Sequence, residues 1–227
     1  SIGLCTMMSS MIEMFITLLV IAAALGFTEL LVRNKIFGGE LSRKFIHIVV
    51  GTFIATWAYY LTKQQIQILS ALLLVGVVMS QRLKVFNSVH GISRRTLGEP
   101  LFAFSVGMVA TFATQPWIYA VAILHMSLAD GFAAIIGTKF GKSNGYSIFG
   151  QHKTIIGSMT FLVISSFIVA FVILAPTTGI SSSAWPLLVW LPILATLTEN
   201  LAVYGIDNIA VPLLVMACLE FALITYN

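Results

Sequence analysis

Three acids stand where acids are costly. Asp130 lies inside an apolar run, and Glu199 and Asp207 flank a short connection between two others. An ionisable group at membrane depth costs a few kcal/mol or more, so such groups are usually functional. The residues after Asp130 carry complementary chemistry. They read Asp130-Gly131-x5-Gly137-Thr138-Lys139-Phe140-Gly141-Lys142, then Lys153-Thr154-Ile155-Ile156-Gly157-Ser158 at the start of the next apolar run. Glycines let backbone N–H groups approach an anion. A helix N-terminus adds donors and the positive end of a dipole. Lysines supply point charges for phosphate. Facing carboxylates hold Mg²⁺, a hard cation that prefers oxygen ligands. Together these parts suit a metal-bound nucleoside triphosphate. The run is not a Walker A loop, because no Gly-Lys-Ser/Thr follows a strand. Gly137 and Gly141, four apart, equally suit close helix packing.

A second cluster is Glu40-Leu41-Ser42-Arg43-Lys44-Phe45-Ile46-His47. Arg43 and His47 are four apart and share a helix face, and Ser42 is placed to cap that helix. The cluster directs polar groups toward the same side as the acids. A plainer account makes Arg43 and Lys44 orientation anchors and His47 a satisfied buried histidine.

These residues must be carried by membrane helices. Of 227 residues, 59% are hydrophobic and 9% charged, with a mean hydropathy of +1.00. Soluble domains carry roughly 25% charged residues. A net charge of +4 on such a chain does not argue for nucleic acid. Apolar runs cover 11–32, 45–61, 66–80, 101–114, 117–136, 155–174, 185–197 and 209–226. They predict an all-α polytopic bundle of about eight transmembrane helices. The runs are apolar all round, which excludes the alternation of a membrane β-barrel. Residues 1–10 read as an N-terminal tail and 11–227 as one integral-membrane catalytic domain. The first run carries Glu13, lacks a basic flank and does not read as a signal peptide. Cys5 and Cys218 offer no metal spacing and no disulfide framework.

With eight helices, eleven of the twelve basic residues fall in loops on one side, and Lys63 alone on the other. The positive-inside rule makes the crowded side cytoplasmic. Orientation explains Lys35 or Lys84, but not the acids beside the basic residues. Glu29 and Arg33, four apart, read as a surface pair. Asp130 reads as about two turns from the inner end of its helix. Asp130→Asn is expected to abolish turnover yet leave folding nearly intact, since an uncompensated buried acid contributes little to stability.

The ordered set resembles the CTP-dependent membrane lipid-alcohol kinases: phytol kinase, dolichol and polyprenol kinase, and CTP-dependent diacylglycerol kinase. These are distant relatives of phosphatidate cytidylyltransferase. Three blocks carry the resemblance: Arg43-Lys44-x2-His47-x3-Gly51; Leu128-Ala129-Asp130-Gly131 through Gly137-x2-Phe140-Gly141 with Lys153-x3-Gly157-Ser158; and Glu199 with Gly205-Ile206-Asp207-Asn208-x3-Pro212. A weaker block is Arg94-Arg95-x2-Gly98-Glu99-x2-Phe102. The resemblance implies CTP as phosphoryl donor and a long-chain lipid alcohol as acceptor, its tail left among membrane lipids. It implies Mg²⁺ on Asp130 and Asp207, with Glu199 as ligand or base. Lys153, Gly157 and Ser158 would grip phosphates, with Gly131, Gly137, Gly141 and Thr154 around the nucleotide. Lys139 and Lys142 would close over it, and Asn208 would orient Asp207 or a metal-bound water. Arg43, Lys44 and His47 would line the substrate side. A cytidylyltransferase acting on a lipid phosphate would use much the same set. An ion-coupled transporter is a more distant alternative, as coupling sites usually lie near the midplane of repeated folds.

Overall fold

A computed structural model of the chain describes residues 2–36, 40–83, 97–175 and 178–226. Among these residues the fold is a membrane helix bundle of eight helices. They are α1 (Ile2–Arg33), α2 (Glu40–Ala55), α3 (Lys63–Leu83), α4 (Gly98–Phe112), α5 (Pro116–Phe140), α6 (Ile155–Leu174), α7 (Leu187–Leu201) and α8 (Asp207–Tyr226). The expected helices are all present, with shifted ends. The segment read as a tail is helical from Ile2, and Gln65 donates to both Ser10 O and Ser10 Oγ. Ser42 falls inside the first turn of α2 rather than at its cap. Arg94, Arg95 and Lys84 lie outside the described residues.

Hydrogen bonds sort the helix ends into two poles. At one pole Lys63 Nζ donates to Ala113 O at 2.7 Å, Glu220 accepts from Thr114 N and Oγ1, and Ser181 N donates to Tyr226 O. At the other, Arg43 and Gln81 both reach Glu99, and Lys153 reaches Glu199. Consecutive helices therefore run alternately up and down.

The core is the middle of α5, 0% exposed at Ile118, Ala122, Ile123 and Met126 and ringed by α2, α4, α6 and α8. The flanking helices α1 and α3 present large apolar side chains outward, as a lipid-facing surface must. Two glycines set the closest approach of α2 to α5. A Cβ on Gly51 would stand 2.5 Å from Ser127 Cβ, and one on Gly131 2.3 Å from Ile48 Cγ1. Any larger residue would push the helices apart and withdraw Lys44 from α5.

Two features were not legible beforehand. The connection from α5 to α6 folds into an antiparallel hairpin, β1 (Gly145–Ile148) and β2 (Gln151–Thr154). Its two-residue turn has φ of 47° at Phe149 and 77° at Gly150, both left-handed, as tight hairpins demand. The second feature is a π-helical turn over His125–Asp130 inside α5. Such a turn inserts a residue and re-aims side chains, and it is frequent at functional sites.

Candidate active site

Three elements bring the acids together. Asp130 ends the π turn of α5, Glu199 lies in the last turn of α7, and Asp207 begins α8. One carboxylate oxygen from each lies within 4.8 Å of the other two. The helix N-terminus under Asp207 favours its negative charge. α5 continues to Phe140. Asp130 is therefore ten residues from the Phe140 end of its helix, about 15 Å of rise, rather than two turns. Asp130 lies about 21 Å of rise from the Pro116 end of α5, and Glu199 about 18 Å from the Leu187 end of α7. The cluster thus lies toward the pole that holds Arg43, Glu99 and Lys153.

Two lysines neutralise two of the acids. Lys44 Nζ is 2.6 Å from Asp130 Oδ2, with the side chains 11% and 6% exposed. Lys153 Nζ is 2.5 Å from Glu199 Oε1 and also donates to the Glu199 carbonyl. Asp207 has the Asn208 side-chain amide 3.4 Å from its Oδ1 and no ion pair among the described residues. Three negative charges therefore face two positive ones in a largely buried space, which leaves room for a cation.

Asp130 is thus a compensated acid. The reason for expecting Asp130→Asn to spare the fold fails, because the substitution strands Lys44. Any mildness must come from relieved repulsion with Glu199 and Asp207.

His47 joins the cluster from α2. Its Nε2 is 3.1 Å from the Met126 carbonyl and 3.7 Å from Asp130 Oδ2, and its ring meets Phe102 edge-on at 4.8 Å. Arg43 is placed differently: its Nη1 pairs with Glu99 Oε1 at 2.9 Å, tying α2 to α4.

The glycine-rich elements have internal partners. A Cβ on Gly137 would meet Thr154 Oγ1 at 2.6 Å and Gly157 Cα at 3.1 Å; one on Gly141 would meet the Gly137 carbonyl at 2.5 Å. These glycines let the end of α5 lie against the start of α6, the packing role that their spacing also allowed. Gly131 serves the α2 contact in the same way. Thr154 caps α6, its Oγ1 accepting from Gly157 N at 3.0 Å. Ser158 Oγ donates to Asn200 Oδ1 at 2.9 Å. Lys139 and Lys142 are exposed, and Lys139 lies over the Phe140 ring at 5.3 Å. Lys139 is nine residues beyond Asp130, about 13 Å along the helix. Glu29 does pair with Arg33, at 3.2 Å, but as a buried acid rather than a surface one.

The acid set fits a hard divalent cation. An octahedral Mg²⁺ at about 2.1 Å places its ligand oxygens about 3 Å apart when adjacent and about 4.2 Å when opposite. Oxygens within 4.8 Å of one another need side-chain shifts of an ångström or less.

No family model matches the chain. It is 30% identical to the phytol kinase of Synechocystis sp. over 189 residues, which are 82% of this chain and 80% of that protein. The chain belongs to the phytol kinase family. It is also 28% identical, over 225 residues, to the probable chloroplastic phytol kinase 1 of Oryza sativa subsp. japonica, across 88% of this chain and 71% of that protein. Identity to the probable chloroplastic phytol kinase of Triticum aestivum is 28%, across 88% of this chain and 74% of that protein. No solved structure matches.

Membership in the phytol kinase family makes the chain a lipid-alcohol kinase. Sequence reasoning quoted Glu99 only within a weaker block and missed two further polar residues around the site of this family member, Tyr146 and Asn200. Glu99 receives both Arg43 and Gln81, at 2.9 and 3.3 Å. Tyr146 and Asn200 form a network with Ser158. Asn200 follows Glu199 directly, and that adjacency was a usable signal. Tyr146 had none, because only the hairpin register places it.

Proposed function

We propose that this kinase transfers the γ-phosphate of CTP, as its Mg²⁺ complex, to the hydroxyl of a long-chain isoprenoid alcohol at the cytoplasmic side of the membrane. The observation that carries the reading is the convergence of Asp130, Glu199 and Asp207 within 4.8 Å beside Lys44 and Lys153. Phosphoryl transfer asks a protein for alignment and charge neutralisation more than for covalent chemistry, and this set supplies both. Asp130, Asp207 and Glu199 would hold Mg²⁺, which when bound neutralises phosphate charge. Lys153 and Lys44 sit where their ammonium groups can exchange a carboxylate for phosphate oxygens. His47, next to Asp130 and fixed by the Met126 carbonyl, lines the side from which the alcohol approaches. Asn208 steadies Asp207 through its amide.

The depth of the cluster supports a lipid acceptor. A hydroxyl can reach it while the tail remains in hydrocarbon, avoiding extraction at about 0.8 kcal/mol per CH₂. The basic residues around the inner loops support the cytoplasmic side.

The test uses purified protein in nanodiscs with Mg²⁺, each γ-labelled nucleoside triphosphate in turn, and a panel of phytol, polyprenol, dolichol and diacylglycerol. Labelled phytyl or polyprenyl phosphate with CDP as co-product is expected, fastest with CTP. With a lipid phosphate supplied as acceptor, release of labelled pyrophosphate and formation of an unlabelled cytidylylated lipid would replace the kinase with a cytidylyltransferase. Equal rates with ATP would remove CTP as the preferred donor.

A further inference from the structure

The hairpin carries Lys153, the lysine that reaches Glu199, yet two four-residue strands cannot hold a shape alone. Two-stranded hairpins are marginal in isolation, so this one needs an external fastening. Tyr146 stands directly opposite Lys153 in the register, and directly opposed residues of an antiparallel pair project from the same face. Both side chains accordingly reach the same neighbour, the last turn of α7. Lys153 takes Glu199, and the Tyr146 hydroxyl donates to Asn200 Oδ1 at 2.7 Å. The same hydroxyl is 2.6 Å from Ser158 Oγ on α6, and Ser158 Oγ is 2.9 Å from Asn200 Oδ1. The hairpin, α6 and α7 thus meet on one amide oxygen. The far end of the hairpin is bare by contrast, with Phe149 73% exposed. The fastening is therefore at the end that carries the lysine.

We propose that Tyr146 is a positioning residue for phosphoryl transfer, its hydroxyl fixing the hairpin to Asn200 and Ser158 so that Lys153 is held at the acid cluster. The proposal rests on the reading of Lys153 as a phosphate contact. Tyr146→Phe removes one oxygen and keeps the ring. Losing a hydrogen bond of this kind typically changes a rate or binding constant by about tenfold.

Two measurements on the full-length protein in nanodiscs test it. In kinetics with Mg·CTP and phytol, Tyr146→Phe should raise the KM for CTP, lower kcat and reduce kcat/KM for CTP about tenfold, with the KM for phytol unchanged. A merely structural role would lower the active fraction and leave both KM values alone. In hydrogen–deuterium exchange, amides of residues 145–154 should exchange faster in the variant while those of α5 and α8 keep their protection. Asn200→Ala should reproduce both effects. Unchanged hairpin exchange would overturn the fastening whatever the kinetics. Faster exchange with wild-type kinetics would overturn the positioning role. Wild-type protein that phosphorylates no lipid alcohol would sink the kinase reading itself, and the positioning role with it.

Discussion

Replacing Lys44 with methionine tests whether the acid cluster is held together by its lysines. Methionine keeps the length and apolar stem of lysine and deletes the charge. Lys44 Nζ is 2.6 Å from Asp130 Oδ2, and both side chains are nearly buried. At an effective dielectric of about 20, the attraction at that distance is about 6 kcal/mol before desolvation is counted. Breaking one side of a buried pair typically costs 3–5 kcal/mol, about 3 at the low end, because the surviving charge is left uncompensated. Here the survivor is an acid within 4.8 Å of two more, so repulsion adds to the loss. For a chain of this size about 3 kcal/mol corresponds to roughly 6–12 °C in apparent Tm. Asp130→Asn should cost less, about 1 kcal/mol, since stranding Lys44 is partly offset by relief of repulsion. The double variant should recover most of the Lys44→Met loss and cost only about 1 kcal/mol, a coupling of about 3 kcal/mol. Millimolar Mg²⁺ should also restore part of it by supplying the missing positive charge. The assay is tryptophan-fluorescence melting in detergent, with and without Mg²⁺. A Lys44→Met shift below about 2 °C would refute the reasoning, as would a double variant as unstable as the sum of the singles.

Removing divalent cations with EDTA should abolish kinase activity, and Asp207→Asn or Glu199→Gln should each raise the Mg²⁺ concentration needed for half-maximal rate; variants with a wild-type Mg²⁺ dependence would show that the cluster is not the metal site. Lys153→Gln should lower kcat/KM about a hundredfold, roughly 2.7 kcal/mol of transition-state stabilisation. Lys139→Gln and Lys142→Gln, exposed and beyond the cluster, should stay within about threefold in the same assay, and equal losses at all three positions would contradict the geometry. Gly137→Ala drives a methyl to 2.6 Å from Thr154 Oγ1 and should cost about 1–3 kcal/mol by overpacking. Gly26→Ala and Gly76→Ala, where a Cβ meets nothing within 4 Å, should not lower the melting temperature, since a helix-interior alanine is roughly 0.5–1 kcal/mol more stable than glycine.

The sequence by itself determined the solvent and the cast of residues. A chain that is 59% hydrophobic and 9% charged must put its apolar faces into lipid, and with every backbone group satisfied internally that means helices. Helix number followed from run lengths, and Asp130, Glu199 and Asp207 stood out because charge at that depth needs a reason. Their convergence was foreseeable from topology, since an odd-numbered helix end and the next even-numbered start share a side.

Only the tertiary structure decided who pairs with whom. Helical periodicity gives a residue its face but not the rotation of one helix against another. Lys44 and Arg43 are adjacent in sequence, yet one meets Asp130 and the other Glu99. The glycines after Asp130 were ambiguous between cradling an anion and packing helices, because both uses need the same missing Cβ. The close approach of Thr154 and Gly157 gives them a packing role. The π turn at His125–Asp130 has no residue signature in the sequence. Tyr146 acquired partners only when a polar connection folded into a hairpin and set it opposite Lys153. Strand register over four residues is a cooperative choice made against the neighbouring helices, and no local property of the chain encodes it.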